Sequence, residues 1–180
     1  MRCFNASDGI QTAHLLSRDA CQILRSHCDA RISKAPDSVD GAPAFQVQLD
    51  EKSLESLIGV DVVSCLWARC EVIQGELVED KTGLVVRDIF LRRYTADTRP
   101  FIPFHCDHAM VTVNICLTEH GETDGDGALI GLHDKKIVEF KRVEGDGTAH
   151  TSTLLHGVAR IEEGTRYTCI IFFANSAKDS

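Results

Sequence analysis

The chain has 180 residues, 43% of them hydrophobic, 26% charged and 6% aromatic, and its 19 Lys and Arg against 27 Asp and Glu leave a formal net charge of −8. A chain of this size can bury roughly 70% of the surface its unfolded form exposes, so a single domain over 1–180 is expected, with no need of disulfide or metal staples. The acidic balance and the lack of a basic run count against nucleic acid as a main partner, and the longest apolar run, 169–174, falls far short of the roughly 20 residues a membrane helix needs.

The first third, to about residue 80, reads helical. Leu16, Ala20, Ile23, Leu24 and His27 recur at helical spacing, with Ser17 placed to cap the segment. Residues 31–44, with Pro36, Gly41 and Pro43, read as a loop. A second amphipathic stretch opens at Asp50, a cap, and sets Leu54, Leu57, Ile58, Val62, Cys65 and Leu66 on one side, with Gly59 placed to split it in two. Trp67 is the only tryptophan and is expected in the core.

After the turn chemistry of Asp80-Lys81-Thr82-Gly83 the apolar period changes from 3.6 to 2. Strands are expected at 85–94, 111–118, 128–132, 137–142, 148–155, 158–161 and 166–174. The clearest is Val111, Val113, Ile115, Leu117 alternating with Thr112, Asn114, Cys116, Thr118, a pattern that buries one face. Gly-rich turns at Gly125-Asp126-Gly127, Glu144-Gly145-Asp146-Gly147 and Glu163-Gly164 separate the later strands. The expected fold is therefore mainly β with N-terminal helices (α+β), a jelly-roll core over about 84–175 with the helices packed outside.

The eight cysteines, Cys3, Cys21, Cys28, Cys65, Cys70, Cys106, Cys116 and Cys169, show no C-x-x-C spacing and read as buried thiols of a reducing compartment. The apolar pair Leu15-Leu16 is cut off by Ser17, Arg18 and Asp19, so no export signal and a cytoplasmic location are expected.

The chemistry concentrates in Phe104-His105-Cys106-Asp107-His108, Leu155-His156-Gly157 and Glu163-Gly164-Thr165-Arg166-Tyr167. In an extended chain residues two apart share a face, so His105 and Asp107 form a two-ligand clamp while Cys106 points away, packed under the strand. His156 from another strand would complete two imidazoles and one carboxylate on one side of an octahedral ion, which leaves positions open for a co-substrate and dioxygen. That is the outline of an Fe(II) oxygenase site. Arg166 follows His156 by ten positions, on a strand that could return it to the same cavity, where a guanidinium fork holds a carboxylate. His108 and His150 stay open as substitutes for a ligand, or as neighbours of the metal site or surface residues. His14, His27, His120 and His133 read as surface or core residues, and Glu119, Glu122, Asp124 and Asp126 as a solvated loop.

Taken jointly, these features resemble the Fe(II)- and 2-oxoglutarate-dependent dioxygenases, most closely their prolyl 4-hydroxylase-like branch. The resemblance runs from about Val85 to the C-terminus and, less closely, includes the helix start at 15–21. An Arg93-Tyr94 pair, the H-x-D, an alternating strand, a Gly-rich turn, His156-Gly157 and a Gly-x-Arg-Tyr before the last apolar strand occur in the family's order.

The resemblance implies a double-stranded β-helix in which His105, Asp107 and His156 hold Fe(II). It also implies that Arg166 pairs with the distal carboxylate of 2-oxoglutarate, with Tyr94 and Thr168 as further contacts. The implied reaction is hydroxylation of a C–H bond of a peptidyl substrate, prolyl included, or of a small molecule. Dioxygen is consumed, succinate and CO2 are formed, and ascorbate serves as an accessory reductant.

The chain has Gly125-Asp126-Gly127 where many prolyl hydroxylases have Gly-Gly, and Ala96-Asp97-Thr98-Arg99-Pro100 without a glycine before the H-x-D. These departures leave the substrate open. Two rival readings are a nucleic-acid demethylating oxygenase of the same superfamily, against which the net charge counts, and a catalytically silent jelly-roll binding module.

Overall fold

Two capped helices and an unexpected hairpin lead into the sheets. The structure is a computed structural model that describes residues 9–78, 84–118 and 127–175. Strand β1 (Ile10–His14) comes first, then α1 (Arg18–Arg31), whose N-cap Ser17 accepts from the Ala20 N–H at 3.3 Å. Helix α1 buries Ala20, Cys21, Leu24 and Cys28. The expected stripe through Ile23 and His27 is thus rotated: Ile23 is 42% exposed, and small thiols pack where larger side chains were looked for.

Residues 31–44 are not a plain loop. They contain β2 (Ser33–Pro36), which pairs antiparallel with β3 (Pro43–Leu49). The expected helices follow: α2 (Glu51–Ile58), with the Asp50 carboxylate accepting from the Ser53 N–H at 2.7 Å, and α3 (Val60–Gly75), divided from α2 at Gly59. In α3 the buried apolar positions are Val63, Leu66, Cys70 and Ile73, while Val62 and Cys65 face outward. The purely helical reading of residues 1–80 is corrected accordingly, since three strands share that stretch with three helices.

The remaining strands are β4 (Leu84–Thr95), β5 (Ile102–His105), β6 (Val111–Cys116), β7 (Leu129–His133), β8 (Lys136–Glu139), β9 (Asp146–Thr151), β10 (His156–Val158) and β11 (Thr165–Asn175). The strands expected at 148–155 and 158–161 are shifted: each begins at least two residues earlier and ends earlier. Among the described residues a seven-stranded sheet in the order β1-β9-β6-β11-β4-β3-β2 faces a four-stranded one in the order β5-β10-β7-β8. Every pairing is antiparallel. This is the jelly-roll architecture expected from the sequence. The turn at 80–83, Gly125 and Asp126, the acidic residues Glu119, Glu122 and Asp124, His120 and Cys3 lie outside the described residues.

The larger sheet has two unlike faces. Its outer face presents Ile89, Leu91, Val111, Val113, Ile115, Cys169, Ile171 and Phe173, which join the buried residues of α1, α2 and α3 in one core. Its inner face carries Thr112, Asn114, Thr148, His150, Arg166 and Thr168, all buried. The alternation in β6 therefore signals one apolar and one polar interior rather than one buried face, because the polar side looks into the space between the sheets. Gly145 ties the N-terminal segment to this sheet. Its carbonyl accepts from the Leu15 and Leu16 N–H groups at 2.8 and 3.1 Å. A Cβ there would lie 2.1 Å from the Leu16 carbonyl oxygen, at φ +87°.

The described cysteines are free, with Cys21, Cys28, Cys70 and Cys169 buried. Burial pushes the thiols of Cys21, Cys28 and Cys70 up to about 12, so they pack as small apolar groups. Cys106 is exposed rather than packed. Among the described residues no helix is long and apolar enough to cross a membrane.

Candidate metal and co-substrate site

Strands β5 and β10 bring the two distant histidines together. Their register sets His156 opposite His105, with ring centroids 4.4 Å apart. The residue after His156 has to be small. A Cβ on Gly157 would stand 2.7 Å from the Ile102 carbonyl oxygen, within the backbone of the neighbouring strand. Gly157→Ala should therefore push β10 away from β5 and lower metal affinity by roughly 10-fold or more, as disturbances around metal ligands commonly do. Calorimetric titration of the metal-free protein with Co(II) reads this, and an unchanged affinity would contradict it.

Asp107, two residues beyond His105, completes the group. Its Oδ1 is 3.3 Å from His105 Nε2 and its Oδ2 is 3.6 Å from His156 Nε2. One ligand atom from each of the three residues lies within 4.8 Å of the others. The Thr112 hydroxyl donates to Asp107 Oδ2 at 2.6 Å and fixes the carboxylate plane. His105 Nδ1 and His156 Nδ1 face the carbonyl oxygens of Pro103 and Leu154 at 2.9 and 3.1 Å. A carbonyl only accepts, so each Nδ1 carries the proton and each Nε2 is the atom free to bind a metal. Two imidazoles and a carboxylate with nitrogen lone pairs turned inward suit Fe(II) by their chemistry.

The electrostatics follow from the same contacts. Burial opposes the Asp107 charge, but the His105 hydrogen bond, the field of His156 and the Thr112 hydroxyl together hold the carboxyl well below the usual carboxylate range. Burial would lower His105, yet its bond to Asp107 raises it. Burial dominates at His156 and lowers it.

His108 is exposed and outside the group. His150 stands next to it, on β9 opposite Thr112, 0% exposed, with its ring 4.4 Å from that of His156. Its Nδ1 meets the Thr151 carbonyl oxygen at 3.1 Å, and its buried Nε2, 3.7 Å from Asp107 Oδ2, has no hydrogen-bond partner. Burial, then the field of His156, push this imidazole down to about 4. An unfolded histidine titrates near 6.5, so as pH falls through that window the unfolded chain takes up a proton that the folded one refuses, and stability is lost. Across the window the loss is about 3 kcal/mol. The metal-free wild type should therefore lose stability relative to His150→Phe between pH 6.5 and 4, read by denaturant unfolding. A constant difference across that range would contradict this.

At the other end of the inner face, β11 places Arg166 opposite Tyr94 of β4. Arg166 is 4% exposed, and its guanidinium lies over the Tyr94 ring at 5.5 Å. Its Nη1 donates to the Gly127 carbonyl at 2.8 Å, while Nε and Nη2 are buried with no partner. Unpartnered N–H groups on a buried cation fit a carboxylate ligand. Thr168 shares the face and is fully buried, its hydroxyl set 2.6 Å from Asn114 Oδ1 and 2.8 Å from the Ile115 carbonyl oxygen. A cavity of about 220 Å³ is lined by His105, Asp107, His156, Tyr94, Thr112 and Asn114 among others.

Sequence reasoning missed the loop that borders this cavity. Asp37, 3% exposed, pairs with Arg92 at 3.0 Å and Arg99 at 3.4 Å, and Arg99 also forks onto Asp40 at 3.0 and 2.9 Å. These pairs fix the turn between β2 and β3, so that Pro36, Ser38 and Val39 wall the cavity. Buried pairing between residues so far apart leaves no signal in local spacing.

No family model and no curated protein matches the chain at the level of sequence. Solved structures do match in fold. A prolyl-4-hydroxylase from Pseudomonas putida aligns with TM-score 0.72 at 17% identity, over 94% of this chain and 95% of its own. A prolyl hydroxylase from Trichoplax adhaerens, in complex with a hypoxia inducible factor oxygen degradation domain peptide fragment, gives 0.70 at 13%, over 97% and 88%. The viral collagen prolyl hydroxylase from Paramecium Bursaria Chlorella virus-1, as its 2-oxoglutarate complex, gives 0.65 at 14%, over 92% and 95%. The chain thus shares its jelly-roll fold with these prolyl hydroxylases.

Proposed function

We propose that the chain, as one domain over 1–180, is an Fe(II)- and 2-oxoglutarate-dependent dioxygenase of the prolyl 4-hydroxylase type, hydroxylating a C–H bond of a peptidyl or small-molecule substrate. The observation that carries this is the meeting of His105, Asp107 and His156 within 4.8 Å, in the same interior as a buried Arg166 whose Nε and Nη2 have no partner. His105 Nε2, His156 Nε2 and an Asp107 oxygen would hold the Fe(II). With 2-oxoglutarate and dioxygen bound, the iron supplies the oxidising chemistry that yields succinate, CO2 and the hydroxylated product.

The protein's own share is orientation and charge. The Pro103 and Leu154 carbonyls keep each imidazole in the tautomer that presents Nε2, and Thr112 holds the carboxylate turned toward both histidines. Arg166 would neutralise the distal carboxylate of 2-oxoglutarate, with Tyr94 under its guanidinium and Thr168 beside it. Peptide binding by the Trichoplax neighbour supports a peptidyl substrate, and the free thiols support a reducing, cytoplasmic setting. The test is succinate formation from 2-oxoglutarate by the Fe(II)-loaded protein in air, with ascorbate as reductant. Formation that requires Fe(II) and stops on chelation is the expected result, and no succinate under any metal loading would overturn the proposal.

A further inference from the structure

A second, half-buried cation meets the inner face of the larger sheet. Arg142, just beyond β8, reaches β6: its Nη1 donates to the Asn114 carbonyl at 2.8 Å and to Asn114 Oδ1 at 2.9 Å. The same Oδ1 accepts the Thr168 hydroxyl at 2.6 Å. Asn114 lines the cavity, and Thr168 shares its side of β11 with Arg166, two residues away. Arg142, Asn114 and Thr168 thus form a hydrogen-bonded row that ends beside Arg166.

Among the described residues no carboxylate pairs with either guanidinium within salt-bridge distance. Asp146, whose field favours the Arg142 charge, is itself paired with His14 at 3.0 Å. Burial, and then the positive field of Arg166, lower Arg142 to about 9. Two cations that disfavour each other in a confined interior are stabilised by an anion placed between them.

We infer that Arg142 is a second guanidinium for the distal carboxylate of the co-substrate and sets the preference for a dicarboxylate over a monocarboxylate 2-oxo acid. This rests on the proposed oxygenase reading, in which Arg166 is the first such group. Asn114 orients Arg142, and its side-chain oxygen also takes the Thr168 hydroxyl, so the row holds the second cation without a counter-ion of its own.

The experiment is calorimetric titration of the Mn(II)-loaded protein, without turnover, with 2-oxoglutarate and with 2-oxovalerate, which has the same chain and lacks the second carboxylate. Loss of a hydrogen bond to a charged group costs on the order of tenfold in affinity. In Arg142→Met the preference for 2-oxoglutarate should fall about tenfold while 2-oxovalerate binding is unchanged. Arg142→Lys, which keeps the charge and the fold, should show a smaller fall in the same direction. An undiminished preference in both variants, or an equal loss for both acids, would overturn the inference and leave the cofactor reading intact. A wild-type protein that binds the two acids equally would instead overturn the cofactor reading itself.

Discussion

His105→Ala and Asp107→Ala should each lower the Co(II) affinity of the metal-free protein by at least about 100-fold, more than is usual for a residue that only supports a ligand. His108→Ala should leave it unchanged. The three residues are neighbours in sequence, so composition and local stability cannot separate them. Their placement does, because His105 and Asp107 face each other at 3.3 Å and His108 is exposed outside the group. The loss relative to the wild type should shrink as pH falls, since the proton competes with the metal for His105 Nε2, the Asp107 contact raises that group, and a variant lacking either residue is spared part or all of that competition. Spectrophotometric Co(II) titration at several pH values reads both effects. Equal losses in the His108 and His105 variants would place the metal elsewhere.

Arg166→Met should separate the two halves of the site. Its buried guanidinium has two unpartnered N–H positions, Nε and Nη2, and two charge-assisted hydrogen bonds to one carboxylate are worth roughly 100-fold or more in affinity. The variant should therefore bind 2-oxoglutarate at least about 100-fold more weakly while holding Mn(II) as the wild type does. The metal residues lie at the opposite end of the inner face, near Thr112, so the variant leaves them undisturbed. Titration of the Mn(II) form with 2-oxoglutarate measures the first effect and metal titration the second. Retained co-substrate affinity would remove Arg166 from the account.

Much of this site was legible because its signals are local. The i, i+2 spacing of His105 and Asp107, the His156-Gly157 pair and Arg166 ahead of an apolar strand are each written within a few residues. The caps Ser17 and Asp50 and the break at Gly59 were legible for the same reason, since a cap acts within one turn. What stayed hidden depends on contacts between distant segments. Strand β2, with exposed Ser33, Lys34 and Pro36, has no apolar face and exists through pairing with β3. His150 and Asn114 are interior because the second face of β6 and β9 looks between two sheets, where alternation alone predicts solvent. The helical stripe of α1 is displaced by one position, because Cys21 and Cys28 take the core positions that spacing assigns to Ile23 and His27.

Anaerobic addition of Fe(II) and then 2-oxoglutarate to the protein, followed by visible absorption, bears most directly on the central claim. Chelation of ferrous iron by the 2-oxo acid within this pocket should give a visible charge-transfer band in the wild type. The band should be absent in His105→Ala and should require far more 2-oxoglutarate in Arg166→Met. No band in the wild-type protein with both components present would contradict the account.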